Sequence, residues 1–366
     1  MSAFLWFSHS HLQLVRLPRA DSRDKCTLLV DLPGFAKIAN FMGRYLRYTA
    51  ELNPIMKRIA VVLFSASLLL GKAPERPKIL GVAHIALFTK NIDQSRAFYH
   101  DFLGFDEPFS LKNPDGSLSM AFFKINDRQY IEMSPERAPG TDRLSHIAIQ
   151  TNDAEAMREY LASRGIKVPD RVPKGRIGNL NFTIRDPDGH DVEIVQYASD
   201  SWSIRGKGKY LGGSRISRRM MHVGILVGSL APAMRFYCDL LGFQETWRGS
   251  KDGKTLSWVN VKAPDGDDYI EFMLYKNLPA PTARGSAHHL CLEVSDSSKS
   301  MAELNAKPYR AKYQRPIEQH VGVNRKRQVN LFDPDGTRIE LMETVTAERK
   351  PAASSTAPPP SAGRME

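Results

Sequence analysis

Cysteine is scarce in this chain: Cys26, Cys238 and Cys291 are scattered singly, with no C-x-x-C pair. That excludes a disulfide framework and a cysteine-based zinc cluster, so any metal is expected on histidine and carboxylate. Long hydrophobic runs are missing too. The main apolar stretch, Ile59 to Leu70, is about a dozen residues, where a helix crossing a bilayer needs about 20. Charge of one sign is also lacking where it would matter. The net charge of +11 comes from residues 1–73, with ten Lys+Arg against four Asp+Glu, and 199–219, with six against one; the remainder balances at 35 against 35. The folded parts therefore carry no net field for phosphates, and nucleic acid is not an expected partner.

What is present is ordinary globular composition, 42% hydrophobic and 25% charged over 366 residues, enough for two domains with cores of their own. Met56-Lys57-Arg58, the apolar run and Gly71-Lys72-Ala73 have the layout of a secretory signal with cleavage after Ala73. On this reading residues 1–55 are a doubtful upstream extension, 56–73 a signal peptide, and the mature protein is exported without a stable membrane anchor; without a signal it is cytoplasmic. Residues 346–366, ending in PAASSTAPPPSAGRME, have the composition of a disordered tail.

Between about residues 78 and 345 one plan recurs four times. Gly81 to Leu87 (GVAHIAL) precedes a helix ending in Phe98 to Phe105 (FYHDFLGF) and strands ending in Tyr130-Ile131-Glu132-Met133. Met221-His222-Val223-Gly224-Ile225, Phe236 to Phe243 (FYCDLLGF) and Tyr269-Ile270-Glu271-Phe272-Met273 repeat it closely. Ser145-His146-Ile147-Ala148-Ile149 and His288-His289-Leu290-Cys291-Leu292 open the other two copies. These close through Asp-Pro-Asp-Gly turns, at 186–189 and 333–336, into Val192-Glu193-Ile194 and Ile339-Glu340-Leu341. Each unit reads as β-α-β-β-β, with Gly104, Gly165 and Gly242 stopping helices in the left-handed C-cap conformation that suits glycine. Asp-Pro-Asp-Gly reads as a hairpin turn, not a calcium loop. Residues 199–218, including Gly206 to Gly213 (GKGKYLGG), read as a flexible basic linker.

Each Glu sits among Ile, Val, Phe, Leu or Met in a buried-strand pattern. Burying an unpaired carboxylate costs several kcal/mol, so four in register need a common cause, and a shared cation supplies one. The His residues alternate with Ala86, Ala148, Gly224 and Cys291, small neighbours that leave room at a cavity wall. Imidazole with carboxylate suits Ni, Co, Zn, Mn or Fe(II). His84, Glu132, His146 and Glu193 are spaced by 48, 14 and 47 residues; His222, Glu271, His289 and Glu340 by 49, 18 and 51. His320 is a candidate acid or base for the second set. His288 points to the other face of its strand, His100 and His190 are expected in solvent, and Tyr99 and Tyr237 in the core.

This pattern resembles the vicinal oxygen chelate superfamily of glyoxalase I, extradiol dioxygenases, fosfomycin resistance proteins and bleomycin-binding proteins. The resemblance covers about 270 residues and implies an α+β fold of four βαβββ modules paired into two domains, 78–198 and 219–345, each cupping one metal. It implies metal ligation by His84, Glu132, His146 and Glu193 and by His222, Glu271, His289 and Glu340. Two adjacent positions on an octahedral ion would then remain for a substrate's neighbouring oxygens. The implied activity is that of a glyoxalase-like isomerase or lyase acting on a small molecule, with Glu132, Glu193, Glu271 or Glu340 shuttling the proton. Two alternatives stand beside it. One is an Fe(II) extradiol dioxygenase using His222, His289 and Glu340, which Glu271 would crowd; the other is a non-catalytic binding protein. The expected assembly is a monomer or homodimer.

Overall fold

The computed structural model describes residues 6–8, 11–13, 74–284 and 287–350. Most of the extension, the candidate signal at 56–73 and the tail beyond residue 350 lie outside the described residues, whereas residues 346–350, expected as the start of that tail, are ordered: Thr346 ends the last strand and its N–H donates to Lys350 O at 2.9 Å. An N-terminal unit, residues 1–72, contributes the antiparallel strands β1 (Trp6–Ser8) and β2 (His11–Gln13). Everything below concerns the second unit, residues 73–366. Among the described residues no helix is long and apolar enough to cross a membrane.

The first module runs β3 (Ile79–Thr89), α1 (Ile92–Arg96) with a π-helical continuation (Ala97–Phe102), β4 (Phe109–Lys112), β5 (Leu118–Lys124) and β6 (Tyr130–Pro135). The second has β7 (Leu144–Thr151), α2 (Ala154–Ser163), β8 (Leu180–Arg185) and β9 (Asp191–Gln196). Here the expected third strand is reduced to one bridge, Lys174 with Leu180. Pro169 and Pro173 lack the N–H that a ladder needs, and Gly175 and Gly178 weaken what remains. After α3 (Trp202–Arg205), the third module has β10 (Met220–Val227), α4 (Leu230–Met234) with a π-helical turn (Arg235–Leu240), β11 (Gln244–Ser250), β12 (Leu256–Lys262) and β13 (Tyr269–Leu274). A short α5 (Pro281–Arg284) leads to the fourth: β14 (His289–Glu293), α6 (Ser297–Ala306), β15 (Gln319–Val321), β16 (Lys326–Phe332) and β17 (Arg338–Thr346).

The modules pair into a seven-stranded sheet, β4-β5-β6-β3-β7-β9-β8, and an eight-stranded one, β11-β12-β13-β10-β14-β17-β16-β15. In each, the opening strands of two modules run antiparallel at the centre and each closing strand lies parallel to its own opener. Asn91, Asp153 and Asp296 cap their helices with side-chain oxygens on the first free N–H groups. Gly104 and Gly242 follow their helices at φ +83° and +81°, where a Cβ would be strained.

One core joins the halves. Helix side chains Phe98, Tyr99 and Phe102 are buried in the same cluster as Phe236, Tyr237 and Leu241 and the inner faces of both sheets. Tyr99 and Tyr237 are core residues, but each also has a polar task. The Tyr99 hydroxyl donates to Asp333 Oδ2 at 3.0 Å, and Tyr237 donates to Asp186 Oδ2 at 3.0 Å. Each Asp-Pro-Asp-Gly turn thus receives the tyrosine of the opposite half. Burial lifts the Asp333 carboxyl to about 6. His190, expected in solvent, is buried instead, its Nδ1 2.8 Å from Asp186 Oδ2, because the turn folds inward against that partner half. His100 is exposed, and His288 is fully buried outside the clusters, 3.5 Å from Asp142.

The segment expected as a flexible linker is pinned. Buried Lys124 donates through Nζ to Gly206 O (2.6 Å), Lys209 O (2.9 Å) and Asp127 (2.7 Å), and Ile216 and Ser217 are buried. A fully buried ammonium holds its position only with such partners, and here they are the segment's own carbonyls.

Tyr99→Phe and Tyr237→Phe each leave a buried carboxylate without its hydroxyl donor. Each should cost about 1–3 kcal/mol, read as a lower urea midpoint. Because the core is shared, either change should destabilise both halves in a single transition; separate transitions for the two sheets would contradict the coupling.

Candidate metal centres

Strand register explains why four residues distant in sequence meet. In the first sheet Ala86 lies opposite Glu132 on one side and His146 on the other, while Ala148 lies opposite His84 and Glu193. The rows Glu132-Ala86-His146 and His84-Ala148-Glu193 are two residues apart along β3, hence adjacent on one face. The second sheet repeats them as Glu271-Gly224-His289 and His222-Cys291-Glu340.

In the first cluster His84 Nε2 is 3.0 Å from His146 Nε2. Glu193 Oε2 is 3.1 Å from His146 Nε2 and 3.6 Å from His84 Nε2, and Glu132 approaches His84 Nδ1 at 3.5 Å and His146 at 3.9 Å. Asn181 Nδ2 donates to Glu193 Oε1 at 2.9 Å. His84, Glu132 and Glu193 are buried, whereas the His146 side chain keeps 17% of its surface. In the second cluster His222 Nε2 and His289 Nε2 are 3.1 Å apart, Glu340 Oε2 is 3.4 Å from His222, and Glu271 Oε2 is 3.3 Å from His289. All four are buried, both imidazoles completely.

The residues fit a divalent ion. Ligand atoms of His84, Glu132 and His146 lie within 4.8 Å of one another, as do those of His222, Glu271 and His289. Two nitrogens bound at about 2.1 Å and at right angles stand about 3.0 Å apart, the separation each imidazole pair shows. The first cluster also has unmet negative charge. Burial raises the pKa of the Glu132 carboxyl, reinforced by Glu193. Burial opposes charge on Glu193 as well, yet His84 and His146 hold it well below the usual carboxylate range. At His84 burial is outweighed by Glu132 and Glu193, which raise its pKa. Two buried carboxylates that together raise the pKa of a buried imidazole make a place for a cation.

The second cluster differs electrostatically. Burial lowers the His222 pKa well below its usual value, and burial with the neighbouring Arg338 guanidinium lowers His289 to about 3. Gly224 is fixed by packing, since a Cβ there would lie 1.9 Å from His289 Cε1. The residues that reading by sequence passed over are Asn181, Arg338 and Cys291. Cys291 appeared only as a small neighbour, although it alternates with His289 on the same face. His320 is exposed on the edge strand β15, in the row His320-Gln328-Met342. Among the described residues no hydrogen bond or ion pair joins it to the second cluster.

A profile of the Glyoxalase/Bleomycin resistance protein/Dioxygenase superfamily matches residues 81–194 and 219–341, more than half of the chain. The chain belongs to this superfamily. It is 24% identical over 254 residues to glyoxalase I of Saccharomyces cerevisiae, covering 63% of this chain and 68% of the yeast one. It is 30% identical over 134 residues to YaeR of Escherichia coli (34% of this chain, 96% of YaeR), and 26% identical over 129 residues to lactoylglutathione lyase of Neisseria meningitidis (33% and 94%). Solved structures of the same fold include the 2,3-dioxygenase LapB of Pseudomonas sp. KL28, with TM-score 0.58, 16% identity and coverage of 77% of this chain and 99% of that one. Another is the Mn(II)-bound glyoxalase of Novosphingobium aromaticivorans, with TM-score 0.56, 16% identity and coverage of 79% and 90%.

The packing of His289 on Gly224 gives a test. Gly224→Ala should cost at least about 1–3 kcal/mol through overpacking, whereas Ala86→Gly in the other half should cost no more than about 1 kcal/mol. Urea unfolding of the two variants compares them directly.

Proposed function

We propose that the chain is a divalent-metal-dependent isomerase or lyase of the glyoxalase type, working at the first cluster on a small molecule with neighbouring oxygens. The observation that carries this reading is the complete set of His84, Glu132, His146 and Glu193 around one point, with two carboxylates held differently. Glu193 is fixed by Asn181 and by His146. Glu132 stands at 3.5 and 3.9 Å from the imidazoles, and no uncharged side chain donates to it among the described residues. Glu193 is therefore the standing ligand and Glu132 the carboxylate free to move a proton.

When bound, the ion would polarise a substrate carbonyl and acidify the adjacent C–H. The protein then has to take that proton from one carbon and return it to its neighbour, so no external oxidant or reductant is needed. Glu132 Oε does both, receiving the proton and delivering it on the same face. Phe122, directly opposite Glu132, and the packed Phe109, Tyr130, Ile177 and Trp202 form an apolar wall beside the cluster. That wall keeps water from competing for the proton and strengthens the local electrostatics. The names of the yeast and Neisseria relatives support the lyase class and suggest a thiol adduct of a 2-oxoaldehyde as the first substrate to try.

Ring cleavage by iron at the second cluster is less well supported. It needs open positions beside His222, His289 and Glu340, and two further donors crowd them: Glu271 lies within 4.8 Å of both imidazoles and Cys291 within 4.8 Å of His222 and Glu340. Export through the signal segment at 56–73 is a separate proposal, tested by the N-terminal sequence of the mature protein.

In the reaction of 2-oxoaldehyde premixed with glutathione, Glu132→Gln should lower kcat by about 10²–10⁴ while the protein retains its metal. His146→Ala should remove both metal and activity, and His289→Ala should leave turnover in place. Full activity in His146→Ala, or its loss only with His289→Ala, would move the reaction to the other half.

A further inference from the structure

Equivalent register positions carry different atoms in the two halves. Ala148 stands between His84 and Glu193, and Cys291 stands between His222 and Glu340. The Cys291 sulfur is close enough to count as a donor: ligand atoms of His222, Cys291 and Glu340 all lie within 4.8 Å of one another. Met221 and Met342 pack on Cys291, setting two thioethers beside the thiol.

His289 is altered in the opposite sense. Arg338 Nη2 lies 3.0 Å from His289 Nδ1. A guanidinium can only donate, so this contact asks for an accepting Nδ1, with the ring proton on Nε2, the nitrogen facing His222. The carbonyl of Ala287, 3.1 Å from the same Nδ1, asks for the other tautomer. Arg338 brings full charge to that competition. In the first half the equivalent position is Asp191, which pairs outward with Arg185 at 3.0 Å. His222 is fully buried, its Nδ1 has no partner, and its Nε2 faces Glu340 at 3.4 Å. Asn260, opposite Glu271, is also buried with an unpartnered Oδ1.

We propose that the second cluster binds a thiophilic divalent ion of the zinc type through Cys291 Sγ, His222 and Glu340, with Arg338 holding His289 out of coordination. The two clusters of one chain then take different ions. Thiolate ligands select soft metals, while the nitrogen and oxygen set of the first cluster has no such preference. Binding forms the S–metal bond and releases the thiol proton to solvent. The added thiolate offsets the guanidinium that the second half has gained. A sulfur donor stands where the first cluster has only the Ala148 side chain, so the two halves offer an ion different atoms at one register position. This inference shares with the proposed function only the premise that the clusters bind metal.

The test is cobalt substitution of the full chain with Co(II), followed by absorption and elemental analysis. Wild type should show a near-ultraviolet thiolate-to-cobalt charge-transfer band and two equivalents of ion. Cys291→Ala, which copies the first half, and Cys291→Ser should lose the band, and Cys291→Ala should hold one equivalent. His289→Ala should retain both band and stoichiometry, and His146→Ala should keep the band while losing the other equivalent. Two equivalents in wild type without a thiolate band, no ion in the second cluster, or loss of the second ion in His289→Ala would each overturn the proposal. A persistent band with no ion in the first cluster would leave it standing and sink the proposed function instead. Thermal unfolding of each variant identifies any that fails to fold, and the serine variant then decides.

Discussion

Carboxylates buried in pairs at the centre of a curled sheet are the constraint around which this molecule is arranged. Glu132 and Glu193 are largely withdrawn from water, as are Glu271 and Glu340. Several kcal/mol of desolvation per charge cannot be offset by apolar packing around them. The opening strands supply one imidazole in each acid's own row and another in the adjoining row, and the pairing of β3 with β7 and of β10 with β14 sets those rows side by side. A slip of one residue in either pairing would turn the histidines to the helix side and leave the acids unmatched.

The helix side of the sheets carries the complementary requirement. Neither sheet is covered by helices of its own half alone, since Phe98 and Phe102 meet Tyr309 and Tyr313 of the fourth module. The reciprocal bonds from Tyr99 to Asp333 and from Tyr237 to Asp186 make the crossed arrangement specific as well as apolar. Duplication thus gives two similar halves that stabilise each other. One can then keep an open nitrogen and oxygen site while the other drifts in chemistry, because the fold no longer depends on both sites alike. Arg338 and Cys291 in one half, against Asp191 and Ala148 in the other, show that divergence at the level of single register positions.

Much of this is legible in the sequence because it depends on short-range periodicity. Alternation on the opening strands marks His84, His146, His222 and His289 as facing one way, and the recurring Glu within apolar strands marks the acids. Glycines at helix ends and Asp-Pro-Asp-Gly turns fix where elements stop. What was hidden depends on partners far along the chain. His190 looks like a turn residue until Asp186 is seen to fold inward with Tyr237, and residues 199–218 look flexible until Lys124 is found buried beneath their carbonyls. The second module lost a strand to Pro173 and its glycines, which the repeating plan masked. Cys291 was passed over for a different reason: without the register of three strands, a lone cysteine beside a histidine cannot be told from a space-filler.

The central claim is that the first cluster is a divalent cation site. Crystals of the full chain grown with Mn(II), with diffraction measured for anomalous scattering at the manganese edge, test it most directly. The account predicts a peak about 2.0–2.2 Å from side-chain atoms of His84, Glu132, His146 and Glu193. No peak there, with the imidazoles still bonded to each other and to Glu193, would contradict it.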